Sequence, residues 1–124
     1  MLKIYSKNLE SVALLCLQGR IVNGATPDLR NAVNSQSDVT AIVLDLARVT
    51  TIDAHGLGVM LELREQIQSK GIRFKLMNVR PLVNRVLEIT RLNSVFEVTS
   101  PEKIFAAASV GQTPSRKQFT LCAA

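Results

Sequence analysis

Apolar positions along this chain follow two rhythms, and the places where they change mark the elements. Residues 2–7 and 12–17 are short and apolar-rich, parted by the tetrapeptide Asn8-Leu9-Glu10-Ser11. That pattern predicts a β-hairpin whose second strand ends at Gly19. Residues 39–46 are nearly all apolar until Asp45, as a strand covered on both faces must be. Residues 72–78 alternate, with Arg73 and Lys75 between Phe74 and Leu76, and 95–98 form a last short strand.

Helical spacing fills the gaps. Thr26-Pro27-Asp28 reads as a helix start, with Thr26 as N-cap, Pro27 at the first helical position and Asp28 in the positive first turn. Leu29 and Val33 give that helix an inner face. After a short loop over 47–52, Asp53 caps a second helix. At about 100° per residue, Gly56, Leu57, Val59, Met60, Leu61, Leu63 and Ile67 share one broad arc, with Arg64 the polar exception. Glu62, Glu65, Gln66 and Ser69 lie on the other side, together with Gly58. Pro81 opens a third helix over 82–90, and Ser100-Pro101-Glu102 starts a fourth, packed through Ile104, Phe105 and Ala108. The order β-β-α-β-α-β-α-β-α predicts an α/β domain over 1–110, with a mainly parallel sheet, an antiparallel edge and a frayed tail over 111–124.

Composition narrows the class. The chain has 124 residues, 47% apolar and 20% charged, enough for one globular domain with a core of its own. The net charge is +5, yet its fifteen Lys and Arg are scattered among ten acids. With four Phe, one Tyr and no Trp, the chain also lacks stacking platforms, so no nucleic-acid partner is expected. No stretch approaches the roughly 20 apolar residues of a membrane span, so no membrane insertion is expected. Cys16 and Cys122 form no CxxC pair; read as free thiols, they fit a reducing, cytoplasmic setting.

The residues with most to say run from Asp45-Leu46 to Thr51-Ile52-Asp53-Ala54-His55-Gly56-Leu57-Gly58. Each glycine inside a helix costs about 1 kcal/mol relative to alanine. Gly56 faces inward, where close packing of helix on sheet accounts for it. Gly58 faces outward, where packing offers no reason and a flat patch open to another backbone does.

This segment, together with Leu17-Gln18-Gly19-Arg20-Ile21, Thr26-Pro27-Asp28-Leu29-Arg30, Asn78-Val79 and Val86-Leu87-Glu88-Ile89-Thr90, resembles the STAS domain of anti-sigma factor antagonists over roughly residues 2–109. The resemblance implies a four- to five-stranded mixed sheet with helices mainly on one side, no enzymatic activity and no cofactor. It implies a protein partner, an anti-sigma factor or serine kinase-like protein whose capture frees a sigma factor to promote transcription. It also implies control by phosphorylation of a Ser or Thr directly after the signature aspartate. Here that residue is Ala54, which has no acceptor oxygen, and His55 follows where a second hydroxyl is frequent. Asn23 stands where an acid is common. Arg91 stands where a glycine often follows the helix, and a left-handed Arg91 carries a cost.

The expected partner-binding residues are therefore Asn23, Asp53, Ala54, His55, Gly56, Leu57, Gly58 and Leu61, with the adjoining 19–26 loop. Asp53 is accounted for by capping alone, and a share in the interface adds to that. Thr50 and Thr51 are the hydroxyls left nearby as displaced phosphoacceptors, although threonines at a strand end are usually structural. His55, the one histidine, has no Cys or His cluster for a metal and no Ser, Cys or Lys nucleophile within the motif to serve as its base partner. It reads as an exposed contact. The other functions weighed are a STAS scaffold subunit of a signalling assembly or transporter complex, with self-pairing through the hairpin, and a phosphotransfer receiver or nucleotide enzyme. The last lacks its acidic cluster, its late lysine and any phosphate-binding glycine loop.

Overall fold

The structure is a computed structural model that describes residues 2–100 and residue 102. Five strands form one sheet in the order β1 (Lys3–Leu9), β2 (Val12–Ile21), β3 (Ala41–Ile52), β4 (Arg73–Met77) and β5 (Glu97–Thr99). β1 runs antiparallel to β2, and every later neighbour is parallel. Three helices, α1 (Thr26–Asn34), α2 (Ala54–Ser69) and α3 (Pro81–Ile89), make the crossovers, with a short 3-10 turn at Leu92–Ser94. This is the expected mixed sheet, its antiparallel pair at one edge. Of the expected fourth helix only Glu102 is described, as helical; the rest of it and the tail lie outside the described residues.

Alternation along the strands splits the sheet into two apolar faces. Ala13, Leu15 and Leu17 of β2, Ile42, Leu44 and Leu46 of β3, and Phe74 and Leu76 of β4 face the helices. They meet Leu29 and Val33 of α1, Val59, Met60, Leu63 and Ile67 of α2, and Val83 and Leu87 of α3 in one core. Phe74 and Phe96 pack with ring centroids 6.5 Å apart. Val12, Leu14, Cys16, Ala41, Val43 and Met77 form a smaller buried cluster on the opposite face. Cys16, read above as a free thiol, is disulfide-bonded, which withdraws the argument from free thiols to a reducing setting. Asp45 is only 5% exposed, with its Oδ1 accepting from the Ala47 amide at 3.0 Å and from Asn78 Nδ2 at 3.1 Å. Those donors offset the burial of a carboxylate in a strand.

Several boundaries differ from the sequence reading, each for a physical reason. β3 does not stop at Leu46: residues 47–52, read as a loop, continue the strand. Two register shifts against β2, between Cys16 and Gln18 and between Gly19 and Arg20, insert extra β3 residues and destroy the alternation a strand is recognised by. Gly19 does not end β2 either, because it passes through one of these irregularities at φ 121° and the strand runs on to Ile21. Thr26 is not the N-cap of α1. Ala25 holds that place without a side-chain bond, and Thr26 is already helical. On α3, Leu82 and Ile89 are 59% and 72% exposed, so only Val83 and Leu87 of its apolar residues are buried. Arg91 does adopt the left-handed conformation, at φ 62°.

Candidate functional site

The site is built where β3 ends and α2 begins. The Asp53 amide donates to the Ile21 carbonyl at 3.2 Å, which holds the end of β3 against the end of β2. Its backbone is extended (φ −103°, ψ 179°), so the side chain turns back over the first turn of α2. One carboxylate oxygen accepts from the Gly56 amide at 2.7 Å, the N-cap bond that the sequence predicts. The other accepts from the Asn23 amide at 3.1 Å. One side chain thus caps a helix and fastens the loop over residues 22–25.

These bonds favour the ionised carboxylate. The Gly56 amide contributes most to lowering the Asp53 pKa below its ordinary 3.8; the Asn23 amide follows, and a smaller part comes from the charge of His55, against a modest opposing effect of burial. A lowered folded-state pKa stabilises the fold above the ordinary value, and that stabilisation is lost as pH falls through the lower folded value. Asp53→Asn keeps a capping oxygen but cannot ionise. Urea unfolding on the acid side of pH 3.8 should therefore show a shallower loss of stability with falling pH in the variant than in the wild type. Parallel curves would mean that the carboxylate's bonds do not differ between folded and unfolded chains.

The four residues after Asp53 divide by direction. Ala54 and His55 are exposed, whereas Gly56 and Leu57 are buried. A Cβ built on Gly56 would stand 2.1 Å from the Ile21 carbonyl oxygen and 2.9 Å from its carbon. The absent side chain is what lets α2 lie on the end of β2. Around Gly58 nothing comes within 4 Å of an added Cβ. The inward and outward placements read from the sequence for the two glycines agree with this geometry. Ala54 and Gly58 leave the outer face of the first turns of α2 bare, while Leu61 is half-buried and packs on the core.

His55 Nε2 lies 3.2 Å from Thr26 Oγ1, and the Arg30–Glu62 ion pair ties α1 to α2 farther along. The role of Thr26 was not legible in the sequence, because its partner lies 29 residues away. Thr50 is exposed and donates its hydroxyl to the Gly19 carbonyl at 3.2 Å; Thr51 is half-buried. Among the described residues no group of three His, Cys, Asp or Glu side chains could hold a metal ion. No helix among them is long and apolar enough to cross a membrane. What the arrangement offers is a surface made of the exposed start of α2 and the loop that Asp53 holds beside it.

The sequence model of the STAS domain matches residues 4–108. BtrV of Bordetella bronchiseptica, described provisionally as an anti-sigma factor antagonist, is 28% identical over 109 residues, covering 86% of this chain and 94% of that protein. A STAS-domain containing protein of Pseudomonas aeruginosa is 30% identical over 84 residues, covering 67% of this chain and 83% of that one. The crystal structure of an anti-sigma factor antagonist from Mycobacterium paratuberculosis superposes with a TM-score of 0.73 at 21% identity, over 90% of this chain and 96% of that one.

Proposed function

This chain belongs to the STAS domain family, and from that premise we propose that it is an anti-sigma factor antagonist, a binding protein in partner-switching control of transcription. Its partner is an anti-sigma factor of the serine kinase-like kind, which it captures so that a sigma factor is released. The observation that carries this reading is the bare outer face at the start of α2. Ala54 and Gly58 raise no obstacle there, and the Asp53 carboxylate holds the neighbouring loop in place through the Asn23 amide. Likeness to BtrV over most of both chains supports it independently.

The surface comprises Asn23, Asp53, Ala54, His55, Gly58 and Leu61. Gly56 and Leu57 serve it from beneath, by seating the helix on the sheet. The work is binding: the hydroxyl that the His55 ring nitrogen meets is that of Thr26, which at 4% exposure is shut away from any substrate. Ala54 cannot accept a phosphoryl group, so the surface stays competent, and control falls on the partner or on abundance.

The test is affinity capture from host lysate with wild-type protein and with Ala54→Glu. The variant sets a second carboxylate beside Asp53 on an exposed position, where it costs the fold little and repels a partner that docks on Asp53. Capture of an anti-sigma factor or kinase-like protein by the wild type, lost in the variant, supports the reading. Transport subunits or only self-copies among the retained proteins would replace it with a scaffold role.

A further inference from the structure

Four contacts at the start of α2 reach the same stretch of chain. Asp53 holds the Ile21 carbonyl and the Asn23 amide, Gly56 lies against Ile21, and His55 meets Thr26. Thr26 is only 4% exposed, and it is not spent as a helix cap. The residue before it, Ala25, supplies no capping side chain, and its own amide closes the loop onto the Val22 carbonyl at 3.0 Å. The loop over residues 22–25 is thus pinned by a side chain at each end, Asp53 on Asn23 and His55 on Thr26.

We propose that His55 is a positioning residue whose imidazole, acting through the Thr26 hydroxyl, couples proton uptake to the conformation of the loop over residues 22–25. A neutral imidazole with its hydrogen on Nδ1 accepts the Thr26 hydroxyl at Nε2, whereas an imidazolium can only donate to it. Proton uptake then reverses the bond and releases the hydroxyl hydrogen to seek another acceptor at the start of α1. Imidazole is the side chain that ordinarily changes charge between about pH 5 and pH 8. The charged groups on the elements around it are Asp53 at the N-cap, Asp28 in the first turn of α1, Arg20 near the end of β2, and the Arg30–Glu62 pair between the helices. The proposal rests on the reading of this surface as the partner face: where Ala54 has removed the phosphoryl switch, a proton on His55 adjusts the loop beside it.

The purified protein is enough for the test, and because it contains one histidine any ring titration belongs to His55. Nuclear magnetic resonance from about pH 5 to pH 8 follows the ring and the backbone amides of Asn23, Gly24, Ala25 and Thr26. The loop amides should shift with the midpoint of the ring. In Thr26→Val the ring should still titrate while the loop amides lose that midpoint; Thr26→Ser, which keeps a hydroxyl, should retain it. His55→Gln, at an exposed position, should abolish the loop titration over the same range. Loop amides that ignore the ring in the wild type, or keep following it in Thr26→Val, or titrate in His55→Gln, would overturn the proposal. Failure to capture an anti-sigma factor would remove the partner reading and leave this linkage intact, so the two fail separately.

Discussion

Gly56→Ala is expected to destabilise the protein by about 1–2 kcal/mol net, although alanine is the better helix former. The gain in helix propensity is about 1 kcal/mol. Against it, the new Cβ would stand 2.1 Å from the Ile21 carbonyl oxygen and 3.0 Å from Ile21 Cγ2. The obstacle is backbone, and that carbonyl also receives the Asp53 amide, so it cannot swing aside without loosening the N-cap. Overpacking that forces the backbone to move typically costs about 1–3 kcal/mol and sometimes more, so the clash outweighs the propensity. Thermal and urea unfolding of the two proteins measures the difference. A Gly56→Ala protein as stable as the wild type would show that α2 does not need this close approach.

Two positions on, the same residue type should respond in the opposite way. Gly58→Arg is expected to fold at least as well as the wild type, gaining roughly 0.5 kcal/mol from helix propensity after a small charge penalty near the helix N-terminus. Nothing lies within 4 Å of the new Cβ, so the side chain projects into open space. That projection is what should end partner binding: a long cation on the bare face holds the two surfaces apart. Losing about 3 kcal/mol of contact energy corresponds to an affinity at least about 100-fold weaker. Paired measurements of unfolding and of binding to the captured partner decide it. Undiminished affinity in a folded Gly58→Arg protein would move the interface off the start of α2.

The contrast between the two glycines is legible in the sequence, because it depends only on helix periodicity. A residue's side of a helix follows from its distance to its neighbours, and Val59, Leu63 and Ile67 mark the inner arc without ambiguity. Asp53 as N-cap is equally local, since its bond closes on an amide three residues away. The hairpin is legible in part. The polar tetrapeptide narrows to a turn at Glu10-Ser11, with Leu9 paired to Val12 and Glu10 at φ 58°.

What the sequence determined by itself is whatever a few consecutive residues decide: the order of strands and helices, the inner faces of α1 and α2, the cap, and the lack of an acceptor oxygen at Ala54. Only the tertiary structure decided that residues 47–52 continue β3. Their hydrogen bonds go to β2, and the two irregularities hide the alternation. It also decided that Asp53 reaches Asn23, that His55 reaches Thr26, and that the obstacle over Gly56 is the carbonyl of Ile21. The first two of these span 30 and 29 residues. The physical reason is range: helix and cap preferences act across three or four residues, whereas strand register and helix seating are set by packing of the whole core.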